Sequence, residues 1–185
     1  MITLFRAQGV LTGSDAEHAL DQGPGGHMLW VDLEAPEPDE VRRIGERLGL
    51  HPDAIDDCLV GEQLPRLDEY GDHVFCICYG VADDADGQPR PAKLALACGK
   101  NFVLSVHRTP LIGVQRLRQR WQQEPAVVVR LGPEGIFYRL FDATVDRLVE
   151  AAERFEDVVE QLEDQSLARD VDPSLLGRVV ELRPG

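Results

Sequence analysis

Apolar and polar residues alternate over Ile2 to Ala7, the period-two pattern of a half-buried strand. Ser14-Asp15-Ala16-Glu17 offers a cap and an acidic first turn, which predicts a short helix. Gly23-Pro24-Gly25-Gly26 breaks that segment, and a second strand is expected over His27 to Leu33. Beyond Pro36 and Pro38, Val41, Ile44 and Leu48 recur at helical spacing, so a helix is predicted from Asp39 to Leu48, with Gly49 closing it. Pro52 opens the next helix, which carries Ile55, Asp56, Asp57 and Leu59. Strands follow near Arg66 to Tyr70, Val74 to Ala82, Ala92 to Cys98 and Phe102 to His107, then a helix from Pro110 through Trp121.

From about Glu134 the pattern changes. Phe141, Leu148, Phe155 and Leu162 recur at sevens beside Val145, Ala152 and Val159, which predicts one long helix to about Ala168 that packs through this stripe. Its other surface is acidic, with Asp142, Asp146, Glu150, Glu153, Asp157, Glu160 and Asp164. Asp172-Pro173-Ser174 starts a further helix. Strands alternating with helices, and several strands joined by short turns, predict an α/β fold with a mixed parallel and antiparallel sheet covered by helices. Residues 1–185 read as a single domain: a mixed α/β part over 1–132, then the long acidic helix and the start of the next over 133–185.

A net charge of -14 argues against a nucleic-acid partner, since phosphate binding draws on clustered Lys and Arg. Met1-Ile2-Thr3-Leu4-Phe5-Arg6 lacks the apolar region of a signal peptide, so a cytoplasmic location is expected. The longest uncharged apolar run, Val74 to Ala82, is about half of what a membrane helix needs. Cys58, Cys76, Cys78 and Cys98 form no CxxC pair and predict reduced, buried thiols, with Cys76 and Cys78 on one face of a strand. A zinc site from Cys58, Cys76, Cys78 and a histidine is the alternative, without the usual ligand spacing. Asp83-Asp84-Ala85-Asp86-Gly87 reads as a hairpin turn rather than a calcium loop, because Leu94 stands where that loop needs a bidentate glutamate.

The most informative stretch is Leu50-His51-Pro52 with Asp56-Asp57, followed by Gln63-Leu64-Pro65-Arg66-Leu67-Asp68-Glu69-Tyr70. With Trp30-Val31-Asp32, Lys100-Asn101-Phe102-Val103-Leu104 and Leu140-Phe141-Asp142-Ala143-Thr144-Val145-Asp146 in that order, the chain resembles the cytoplasmic domain of the CorA family of divalent-cation transporters. The resemblance implies an α/β/α sandwich that assembles as a homopentamer. It also implies that the family's Gly-Met-Asn tripeptide and two membrane helices lie beyond residue 185, so that this stretch is the soluble part on the cytoplasmic side of the inner membrane.

By the same resemblance, Mg²⁺ bound between subunits holds the transporter closed, with Zn²⁺ or Co²⁺ as alternative ions. Asp57 matches the position that holds the bridging ion, Asp56 the acidic position before it, and Asp142, with Asp146 one turn on, a second nearby ion. A zinc-transporting relative is a second reading and a stand-alone metal-binding protein a third. Beside these stands the plain reading, in which Asp56-Asp57 and Asp142 with Asp146 are solvated helix faces. His51 then reads as a helix-start residue and His107 as the end of a strand. An enzyme built on His51, Asp57 and His107 is disfavoured, because no nucleophile motif, glycine-rich phosphate loop or HExxH helix accompanies them.

Overall fold

The computed structural model describes residues 1–21, 29–83 and 89–167. The expected break at Gly23-Pro24-Gly25-Gly26, most of the turn at Asp83 to Gly87, and the helix start at Asp172-Pro173-Ser174 lie outside the described residues. The described strands are β1 (Ile2–Arg6), β2 (Gly9–Thr12), β3 (Leu29–Glu34), β4 (Arg66–Tyr70), β5 (His73–Asp83), β6 (Pro89–Gly99) and β7 (Phe102–His107). The helices are α1 (Gly13–Asp21), α2 (Pro38–Leu48), α3 (Pro52–Leu59), α4 (Ile112–Gln123), α5 (Pro125–Val129) and α6 (Gly132–Leu167). The chain divides into a first unit, Met1–Arg147, and a second, Leu148–Gly185, with the boundary inside α6.

In the first unit the strands form one sheet in the order β2-β1-β3-β7-β6-β5-β4. Every pairing is antiparallel except β3 with β7, so the sheet is mixed, as expected. Side-chain alternation sorts the core onto two faces. On one, Leu4, Val31, Phe75 and Leu104 pack with Ala16 of α1, Val41 and Ile44 of α2 and Ile55 of α3. On the other, Trp30, Cys76, Leu94 and Val103 pack with Leu117 and Trp121 of α4, Val128 of α5 and Ile136 and Leu140 of α6. The sheet is therefore sandwiched between two helical layers.

The helix boundaries follow local chemistry. Pro38 and Pro52 occupy first-turn positions, where a missing N–H costs nothing. Gly49 closes α2 in the left-handed region at φ 74°, with its N–H bonded back to Glu46 O. His51 is the N-cap of α3, its Nδ1 accepting from Asp53 N at 3.2 Å, so the helix-start reading of this histidine is correct.

One expectation fails. The heptad stripe of α6 does not form the packed face: Phe141, Val145 and Leu148 are at least 40% exposed and Phe155 is 52% exposed, while Leu162 is buried. In the first unit α6 packs through Ile136, Leu140, Thr144 and Arg147 instead. The cause is close approach of small residues. A Cβ added at Gly113 of α4 would sit 2.9 Å from the Ala143 methyl, so the two helices touch where neither has bulk. Counting large apolar side chains points one position away from such a contact. Phe155→Ala is accordingly expected to cost less than about 1 kcal/mol, whereas Leu140→Ala, at 1% exposure, costs about 2–5 kcal/mol; urea melts of both variants check the pair.

Candidate functional site

Helix α3 is tied down at both ends. At its start, His51 N donates to His73 Nε2 at 3.3 Å, and Tyr70 stacks between the two imidazoles with ring centroids 4.5 Å from His51 and 5.2 Å from His73. At its end, the Lys93 ammonium from β6 donates to Asp57 O at 2.5 Å, Val60 O at 2.6 Å and Gln63 Oε1 at 2.9 Å. A cation there satisfies carbonyls that a helix C-terminus leaves open and complements its dipole. Burial, the first cause, pushes the Lys93 ammonium below its ordinary pKa, although the Asp57 charge acts the other way.

This frame presents the adjacent acids differently. Asp56 is exposed, while Asp57 is half-buried, and both Asp57 oxygens already have partners in the same chain. Gln63 Nε2 donates to Oδ1 at 2.7 Å, and the Arg66 guanidinium from β4 donates to Oδ2. Arg66 also reaches Asp68 through Nε at 2.8 Å, so it forks between two carboxylates. Burial pushes the Asp57 carboxyl up, but the hydrogen bonds from Arg66 and Gln63 and the Arg66 and Lys93 charges outweigh it, leaving it below the ordinary carboxylate value.

On α6, Asp142 is half-buried and pairs with Arg139 at 3.9 Å, while Asp146 is exposed. Asp142 and Asp146 project from the acidic surface of the helix within the first unit. The four aspartates singled out in the sequence do not converge on one point within this chain: among the described residues, a cluster of three potential ligand groups occurs elsewhere, at Asp32, Glu34 and His107.

In the sequence, Asp32 stands out only within the Trp30-Val31-Asp32 motif and His107 only as a strand end or a disfavoured enzyme residue, so the cluster itself is not visible there. It sits where β3 and β7 run parallel, with Glu34 opposite His107 and Asp32 opposite Ser105. Asp32 and the His107 side chain are fully buried, and ligand atoms of the three residues lie within 4.8 Å of one another. The space between the acids is filled by Arg118 of α4, which donates through Nη2 to Asp32 and through Nη1 to Glu34 at 2.8 Å. Ser105 Oγ donates to the other Asp32 oxygen and accepts from Trp30 Nε1 at 2.9 Å. His107 Nδ1 faces Thr109 O at 2.8 Å, and Nε2 approaches Asp32 Oδ1 at 3.3 Å without hydrogen-bond alignment. Burial raises the Asp32 pKa, but His107, Arg118 and Ser105 together bring it below its ordinary value. Because one guanidinium bridges both carboxylates and offsets part of their charge, this arrangement is an internal brace.

The cysteines are free and buried. Cys58 packs on the α1–α3 face of the sheet, and Cys76 and Cys78 on the opposite face, so the alternative zinc set is not assembled. Burial pushes the Cys58 thiol up to about 12.

With this geometry in place, comparison with known proteins is informative. Residues 25–184 match the family described as CorA-like Mg²⁺ transporter protein. YfjQ of Bacillus subtilis is 27% identical over 154 residues, covering 83% of this chain and 47% of that protein. The cobalt/magnesium transport protein CorA of Thermotoga maritima is 24% identical over 158 residues, covering 84% of this chain and 45% of that protein. The chain thus spans about half the length of these curated relatives. In fold it is similar to the soluble domain of CorA from Methanocaldococcus jannaschii, with a TM-score of 0.76 at 19% identity, covering 99% of this chain and 70% of that one.

Proposed function

The chain belongs to the CorA-like Mg²⁺ transporter family, and from that premise we propose that it is the ion-sensing part of a divalent-cation transporter, working outside the bilayer on the cytoplasmic face as one of five identical subunits. The observation that carries this reading is the family match over 25–184, which takes in both α3 and the whole of α6. No helix among the described residues is long and apolar enough to cross a membrane, so ion passage is assigned to a part of the protein other than these residues.

In this reading Asp57, with Asp56 before it, holds a regulatory Mg²⁺ against a neighbouring subunit, and Asp142 with Asp146 contributes to a second ion. The donor chemistry fits: carboxylate oxygens are hard ligands, and Mg²⁺ keeps several waters while taking only one or two protein carboxylates. Asp56 and Asp146 are exposed and open to a partner subunit. A bound cation offsets the like charge that a chain of net charge -14 brings to a subunit boundary. When it leaves, facing carboxylates repel, and the population of assemblies shifts toward the conducting form. The name of the Thermotoga maritima relative, a cobalt/magnesium transport protein, supports Mg²⁺ or Co²⁺ as the ion.

Protease protection of the full-length transporter across a Mg²⁺ titration tests the assignment. Asp57→Ala is expected to raise the Mg²⁺ level for half-protection at least about tenfold, the worth of one lost contact to a charged ligand. Wild type and variant digesting alike at every Mg²⁺ level would remove Asp57 from the regulatory role.

A further inference from the structure

We propose that Arg66 is a tethered competitor for the divalent cation at Asp57, so that this chain sets its own ion threshold through an internal guanidinium. The inference rests on the reading of Asp57 as an ion ligand. It deepens that reading by naming what the ion must displace.

Both Asp57 oxygens are occupied within the chain, Oδ1 by Gln63 and Oδ2 by Arg66. The two partners are not equivalent. Gln63 is fixed from behind, its Oε1 accepting from Lys93 Nζ at 2.9 Å and its backbone N–H and C=O both bonded to the Tyr79 hydroxyl. Its amide is neutral and leaves the Asp57 charge uncompensated. Arg66 carries the only full charge bonded directly to that carboxylate among the described residues, and it stands on β4, one of the two edge strands of the sheet. Its side chain is 39% exposed, against 15% for Asp57. The guanidinium can therefore swing into water without uncovering a buried cation, and Asp68, its other partner, keeps it nearby when it does.

Arg118 shows the contrast. Its guanidinium also bridges two acids, but Asp32 beneath it is fully buried and Arg118 itself is only 17% exposed. An arginine over a buried carboxylate is a fixed part of the fold, since stripping it leaves an uncompensated internal charge. A half-exposed pair such as Arg66 with Asp57 favours its closed form by a factor of only about five. An ion that needs the open form then binds with its affinity reduced by about the same factor, and removing the competitor restores it. Arginine suits this task because its charge is permanent at any physiological pH, which keeps the threshold independent of proton concentration.

The test is Mn²⁺ binding to the full-length transporter, followed by the loss of the free-ion electron paramagnetic resonance signal and by Mg²⁺ competition. Five proteins are compared: wild type, Arg66→Gln, Arg66→Lys, Asp57→Asn and Arg66→Gln combined with Asp57→Asn, each checked for an unchanged thermal unfolding midpoint. Arg66→Gln is expected to tighten Mn²⁺ binding about fivefold. The gain is expected to vanish in Arg66→Gln with Asp57→Asn, which separates competition at Asp57 from a general rise in negative potential. Arg66→Lys, which keeps the charge but cannot fork between Asp57 and Asp68, is expected to fall between wild type and Arg66→Gln. If Arg66→Gln binds no tighter than wild type while Asp57→Asn still weakens binding, the competitor role is overturned and Asp57 stands as a ligand. If the gain from Arg66→Gln persists with Asp57→Asn, it is a long-range charge effect and the competitor role is likewise overturned. If Asp57→Asn changes nothing in either background, the assignment of the ion to Asp57 falls as well.

Discussion

Asp32→Ala is expected to cost about 3–5 kcal/mol of folding stability at neutral pH, because it leaves Arg118 facing a void where its buried partner stood. The sign of the accompanying pH dependence is fixed. The Asp32 carboxyl lies below its ordinary value of 3.8 in the folded chain, so its contribution is complete above that value and is lost as pH falls through the folded value. The deficit of the variant is therefore expected to be full near about pH 7 and to shrink toward about pH 3, as wild type loses the same contribution. Urea melts at both pH values read this directly. A deficit of equal size at both would mean that Asp32 acts through packing alone.

Trp30→Ala is expected to cost about 3–5 kcal/mol or slightly more. Trp30 is fully buried, stacks on Phe5 at 4.3 Å and lies 5.9 Å from Trp121, so its loss opens a cavity between sheet and α4 that the two remaining rigid rings, Phe5 and Trp121, cannot collapse to fill. It also removes the indole N–H that orients Ser105 toward Asp32. The two variants thus act on one connected network, and Asp32→Ala with Trp30→Ala is expected to cost less than the sum of the separate losses. Circular dichroism is the suitable probe, since Trp30→Ala removes one of the chain's two tryptophans. A loss under about 1.5 kcal/mol for Trp30→Ala would mean that the cavity does collapse.

The strands and helices of the first unit were largely legible because their signals are local. Pro52 and Gly49 mark helix ends by what their own backbones allow, and the alternation along β5 and β6 is visible without knowing the partner strand. β2 and α5 were missed; they are four and five residues long, too short for a periodic pattern to accumulate. The face of α6 was misplaced because its packed side uses Ala143 and Thr144, which hydropathy ranks below the exposed Phe141. The resemblance in the sequence led to Asp57, but the occupation of its oxygens by Gln63 and Arg66 depends on how the loop after α3 folds back onto it. The Asp32 brace was invisible for a stronger reason: Arg118 stands 86 residues away along the chain, and no spacing rule spans that distance.

The parallel seam between β3 and β7 has a kinetic consequence. On either side of it, β2-β1-β3 and β7-β6-β5-β4 are runs of antiparallel neighbours, and β4 to β7 follow one another in sequence, so that half of the sheet can zip up through short turns. Joining the halves closes a loop of the order of the 73 residues between Asp32 and Ser105, and that entropy is lost before the seam's contacts return anything. Closure of the seam is thus the slow step in making this sheet, and the brace at its edge is assembled only once that step is complete. Until then the Asp32 carboxylate remains in water, and the ion pair that later becomes internal does not hold the nascent halves together.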